Sequence, residues 1–164
     1  FGWNIRMPAR VIWPSTIGTK AKISGANLFL RLNYWVVYCG GNIMTAVPNL
    51  SSVEAPASAT IALTASAMSF QLASIPSDVS NLKLVIQASD PQGNSITRAY
   101  SKAAAFDDPM TPVTTAINIK AKYDAKCGAP SAGSPKVFFK YFYVNTATGE
   151  KSGDVLAQAK LTSE

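Results

Sequence analysis

The spacing of apolar and polar positions changes along the chain, and each change marks an element. From Val137 to Val144 nearly every residue is β-branched or aromatic; after Asn145, Thr146, Thr148 and Gly149, the apolar residues return on alternate positions at Val155, Ala157 and Ala159. This pattern predicts a β-hairpin over Lys136 to Leu161. Period two also governs Thr60 to Thr64 and Ser66 to Ala73, where Met68, Phe70 and Leu72 alternate with Ser69, Gln71 and Ala73, and Leu82 to Ala88. Asp90-Pro91-Gln92-Gly93-Asn94 has turn chemistry, so Ile96 to Phe106 is expected to return antiparallel. Asp107 to Pro112 reads as a breaker and Ala129 to Pro135 as loop. Thr114 to Cys127 carries two signals: Ile117 and Ile119 favour strand, whereas Ala121 to Lys126 favour a short helical turn ended by Gly128.

Ahead of these strands the period is helical. Ser24 is placed to cap a helix in which Phe29, Leu32 and Val36 recur at helical spacing, with Leu28 and Trp35 beside them, and Gly40 and Gly41 stop it. Only Asn27, Arg31 and Asn33 interrupt its apolar circumference, so it is expected to pack against both its own domain and a neighbouring subunit. Trp35 to Tyr38 also fits a strand by composition. Pro48, Asn49, Ser51, Ser52 and Pro56 make residues 42–56 a connector. The first 22 residues hold only about one turn of helix, between Pro8 and Pro14.

Six or seven short strands with almost no helix after residue 41 give a mainly β fold, an immunoglobulin- or fibronectin type III-like antiparallel sandwich. The expected organisation is an extended N-terminal arm (1–22), one α-helix (23–41), a connector (42–56) and the sandwich (57–164).

Charged residues are 15% of the chain, well below the usual quarter or so, which suits a surface covered by neighbours. A secreted monomer with a Ser/Thr-rich skin is the plainer alternative. Residues 1–53 hold five basic and no acidic residues, against ten basic and nine acidic in the rest, so +5 of the net charge of +6 lies in the N-terminal part. This basic segment would suit an acidic protein surface; no recognition helix, zinc spacing or RNA-binding motif accompanies it, so no specific nucleic acid is expected. Cys39 and Cys127 permit one disulfide without requiring it, and two buried thiols are expected. No apolar run is long enough for a membrane span. Phe1 in first place implies further sequence upstream, and a signal peptide is compatible with that.

With no His in the sequence, Ser-His-Asp and Cys-His catalysis are excluded. Asp107 and Asp108 supply too few oxygens for a calcium loop and read as a solvated turn. Cys39, between Tyr38 and Gly40, reads as an apolar core residue, and no phosphate-binding glycine loop occurs. Neither an enzyme nor a cofactor is expected.

Around the hairpin, Tyr141, Tyr143, Val144, Asn145, Gly149, Glu150 and Ser152 resemble the last two strands of fibronectin type III domains. More broadly, Ser24-Gly25-x-Asn27-x-Phe29 with Leu30, Leu32 and Asn33, followed by a Pro-containing connector and a terminal TGE-S hairpin, resembles uncharacterised proteins of the Bacteroidota and their phages. Trp13, Lys20 and Lys22 match a Trp- and Lys-bearing segment that precedes the stretch in that group, while Pro14 and Gly18 depart from its regular first helix. The resemblance brings no enzymatic residues and implies assembly or adhesion.

The expected function is therefore a structural subunit, in its most specific form a phage virion component, located in a virion or outside the cell. Phe1, Trp3, Trp13 and Trp35 would fill pockets on neighbours, other copies of the chain or adjoining structural proteins, and Arg6, Arg10, Lys20 and Lys22 would meet acidic groups there. The alternative is an extracellular filament subunit or a glycan-binding adhesion module, with Tyr100, Tyr141, Tyr143 and Trp3 as a stacking platform.

Overall fold

The structure, a computed structural model, describes residues 24–162. Among the described residues, seven antiparallel strands form two sheets: β1 (Ala59–Leu63), β2 (Met68–Leu72), β3 (Leu82–Ala88), β4 (Phe106–Met110), β5 (Ile117–Asn118), β6 (Lys136–Asn145) and β7 (Val155–Lys160). One sheet has the order β1-β2-β5 and the other β4-β3-β6-β7. Phe70, Met68 and Leu72 of the first face Leu84, Ile86, Phe139, Tyr141 and Tyr143 of the second, closing one core between the sheets. Along one side, Thr162 N–H donates to the Leu63 carbonyl (3.0 Å) and joins the end of β1 to the end of β7.

The apolar run in β6, interrupted only by Lys140 between Val137 and Val144, has a physical reason. Val137, Phe139, Tyr141 and Tyr143 point into the core, while Phe138, Phe142 and Val144 are equally buried on the outer face of the same strand. Two elements cover that face. Tyr100, in a 3₁₀ turn over Tyr100–Ala105, sets its ring edge-on to Phe138, with centroids 5.2 Å apart. The helix α1 (Gly25–Tyr38) packs Trp35, Tyr38 and Cys39 on Val85, Phe142 and Val144.

Helix α1 begins where capping chemistry predicts: the Ser24 hydroxyl accepts from Asn27 N–H (3.2 Å), and Gly40 ends it with a positive φ of 83°. The connector, residues 42–56, then runs back over the helix. Met44 and Leu50 pack on Leu28, Phe29 and Leu32, and the Asn33 side chain holds the crossing by donating to Phe29 O and accepting from Met44 N–H.

Three expectations are corrected. Ile96 to Phe106 does not return as a strand; most of it is irregular chain and the 3₁₀ turn, and the partner of β3 is Phe106–Met110. The segment Asp107 to Pro112 is accordingly not simply a breaker, because β4 is an edge strand. Pro109 pairs with Val85 there, and an edge strand tolerates a residue without an N–H because one side of its backbone has no ladder to serve. The described residues also contain a second helix, α2 (Lys120–Cys127), so the ambiguous segment is strand and helix in succession: β5, then α2, ended by Gly128 at φ 82°. Tyr123 of α2 fills one end of the core beside Phe106, and its hydroxyl donates to Ser89 O at 2.6 Å.

Candidate interaction face on the first helix

Helix α1 has three sides with different fates. Trp35, Tyr38 and Cys39 lie on the sheet, Leu28, Phe29 and Leu32 lie under the connector, and Leu30, Tyr34 and Val37 form a third stripe turned away from both. Their i, i+4, i+7 spacing places them on one line. Leu30 is 49% exposed, Tyr34 60% and Ile43, just beyond the helix, 41%. With Arg31 and Tyr38 they border an open groove of about 580 Å³ whose walls are almost wholly apolar.

The groove stands on a rigid support. Tyr34 stacks on Tyr38 (centroids 5.9 Å) and meets Trp35 edge-on (5.1 Å); Trp35 in turn stands edge-on to Phe142 of β6 (5.2 Å). The Lys151 ammonium lies 4.0 Å from the Phe142 ring centroid and 5.8 Å from that of Trp35, a cation–π contact that closes the side of the stack. The Tyr38 hydroxyl donates to Asp107 of β4, whose other oxygen pairs with Lys126 of α2. A surface ring is thus linked through the helix to the edge strand β4 and the inner strand β6 of its supporting sheet.

Of the expected interface residues, Phe1, Trp3, Arg6, Arg10, Trp13, Lys20 and Lys22 lie outside the described residues. Trp35 is half-buried, and much of its ring is engaged by Phe142 and Lys151 of its own chain. The exposed aromatic at this face is Tyr34, which sequence reasoning passed over although its spacing from Leu30 and Val37 was visible. The proposed stacking platform is not assembled: Tyr141 and Tyr143 are each 1% exposed, inside the core, and Tyr100 lies against Phe138.

Asp107 and Asp108 serve structure. Lys126 pairs with Asp107, and the Lys122 ammonium donates to both oxygens of Asp108 at 3.0 and 2.8 Å. Among the described residues no group of three or more His, Cys, Asp or Glu side chains could hold a metal ion, and no helix is long and apolar enough to cross a membrane. Both cysteines are free. Burial pushes the Cys39 thiol up to about 11 against a small opposing pull from Lys83. Cys127 also rises to about 11, through burial first and then its contact with Asp90. Neither is set up as a nucleophile at neutral pH.

No protein-family model, curated protein or solved structure matches this chain.

Proposed function

We propose that this chain is a non-enzymatic structural subunit of a larger assembly, tethered to its neighbours through its N-terminal part: the basic, aromatic arm of residues 1–22 and the face of α1 that follows it. The observation that carries this reading is the exposed stripe of Leu30, Tyr34 and Ile43 around an apolar groove, on a helix already packed by its own chain on its two other sides. Clustered apolar exposure of this kind is what contact with another molecule covers. The low charge content, the basic N-terminal part and the absence of His support the same conclusion.

The most specific form of the proposal, a phage virion component, rests on the resemblance carried by Ser24-Gly25-x-Asn27-x-Phe29 and the TGE-S hairpin. We read the sandwich as fibronectin type III-like on its strand order. In the constant-type immunoglobulin arrangement the fourth strand joins the sheet of the first, whereas β4 here pairs with β3 in the other sheet. The adhesion alternative loses its aromatic platform with the burial of Tyr141 and Tyr143.

The test is incorporation. A chain lacking residues 1–22 should fold but fail to enter the particle or filament formed by the intact chain, as seen by electron microscopy of the native assembly. Normal incorporation of the truncated chain would remove the arm as the tether.

A further inference from the structure

We propose that the groove on α1 is the acceptor for the arm of a second copy of this chain, residues 1–13, so that copies join arm to groove. This rests on the subunit reading above and names its partner. The groove and the arm match in chemistry: Leu30, Tyr34, Val37, Tyr38 and Ile43 offer an apolar trough, and Phe1, Trp3, Ile5, Ile12 and Trp13 are large apolar residues on a segment too short to bury them itself. They also match in reach. The ten residues from Pro14 to Ile23 separate Trp13 from Ser24 and span up to about 33 Å when extended, well beyond the roughly 12 Å that α1 covers from Leu30 to Tyr38.

Two features favour a second copy over the chain's own arm. The chain enters α1 at Ser24 in extended backbone (φ −65°, ψ 153°), while the groove runs onward from Leu30 to Ile43, so an arm reaching its own groove must double back along the helix. Either arm would bring Arg6 and Arg10 near Arg31 on a helix with no acidic residue, but the return of the chain's own arm would add Lys20 and Lys22, so a neighbour's arm meets less like-charge repulsion. Each copy then carries one donor and one acceptor, a head-to-tail contact that closes into rings or propagates.

Complementation of full-length variants tests this. One variant has a disabled arm (Trp3→Ser with Trp13→Ser) and the other a blocked groove (Leu30→Arg with Ile43→Arg); both groove positions are exposed, and circular dichroism with thermal melting checks that each variant folds as the wild type does. In sedimentation across a concentration series the wild-type chain should self-associate, and each variant alone should associate at least about tenfold more weakly. An equimolar mixture should give a dimer and nothing larger, because only one arm and one groove remain competent. The inference is overturned if the blocked-groove variant still associates like wild type, if the mixture stays monomeric, or if the wild-type chain is monomeric throughout. Failure there with loss of the truncated chain from the native assembly would leave the subunit reading standing with a different acceptor; normal incorporation of that chain would overturn both.

Discussion

Gly149, in the β6–β7 connection, sits backbone to backbone against Leu32 of α1: a Cβ at Gly149 would lie 2.1 Å from the Leu32 carbonyl oxygen and 2.8 Å from its Cα. The residue also adopts φ +73°, where a side chain is strained in any surroundings. The neighbouring residues hold the connection in place. The Glu150 carboxylate accepts from Ser51 N–H (2.9 Å) in the connector, and the Ser152 hydroxyl accepts from Tyr143 N–H (2.9 Å). Gly149, Glu150 and Ser152 therefore help to fix where α1 lies on the sandwich, and with it the direction in which the exposed groove faces.

Gly149→Ala is expected to cost about 2–4 kcal/mol, from the left-handed backbone together with displacement of a helix backbone that cannot yield as a side-chain tip would. That corresponds to a fall in Tm of roughly 10 °C for a chain of this size. The near-ultraviolet signal of Trp35 should weaken with it. An Ala variant that melts like wild type would mean that the approach to Leu32 is not tight in solution.

The hairpin and α1 were legible in the sequence because each is written in local chemistry: alternation and turn residues for one, a Ser cap and terminating glycines for the other. The strand β4 was not. Asp107, Asp108 and Pro109 look like turn residues, and only the pairing of β4 with Leu84 to Ala88 at a sheet edge makes a strand of them. The double burial of β6 showed as an apolar run broken only by Lys140, but the run could not say that one cover is a helix from far upstream and the other a 3₁₀ turn. Tyr34 was missed for a related reason. On a helix apolar nearly all round, which stripe stays exposed depends on where the connector crosses, and Asn33, through Phe29 O and Met44 N–H, decides that.

Three core tyrosines that resemble one another in the sequence should respond differently to loss of the hydroxyl. Tyr123 donates to Ser89 O at 2.6 Å, and the Tyr141 hydroxyl accepts from Ala59 N–H (2.8 Å) and donates to Ala57 O (3.2 Å). The Tyr143 hydroxyl is buried with no hydrogen-bond partner among the described residues. Tyr123→Phe and Tyr141→Phe should each cost about 1–2 kcal/mol in urea denaturation, whereas Tyr143→Phe should be neutral or slightly stabilising because it removes a desolvated group that receives nothing in return. A loss from Tyr143→Phe equal to the other two would contradict that account.

Asp107→Ala removes two ties at once, the acceptor of the Tyr38 hydroxyl and the partner of Lys126. Asp108→Ala removes only the pairing with Lys122, whose side chain is 68% exposed and whose contribution is therefore screened. The first change should cost about 1–2 kcal/mol and speed amide exchange in the last turn of α1; the second should stay below about 1 kcal/mol and leave α1 unchanged. Equal exchange in the two variants would show that Tyr38 does not hold the helix through Asp107.

Base should destabilise the fold through its thiols. Burial raises Cys39 and Cys127 from 9.0 to about 11, so between those two pH values the unfolded chain releases protons that the folded chain retains. The contribution of each thiol is thus fully present below pH 9 and is lost as pH rises to about 11; for the well-buried Cys39 it amounts to at most about 3 kcal/mol. At pH 8 the same shift leaves the folded thiols with about a hundredth of the thiolate of an ordinary cysteine, offset in part by the greater nucleophilicity of a thiolate of higher pKa, so a chromogenic disulfide reagent should label the native protein at least about tenfold more slowly than the urea-unfolded chain. Replacing both residues with Ser should flatten the decline in Tm over that pH window. A decline that persists unchanged in the double variant would assign the base sensitivity to other groups, with the buried Tyr123, whose ionisation is pushed higher still by desolvation, first among them.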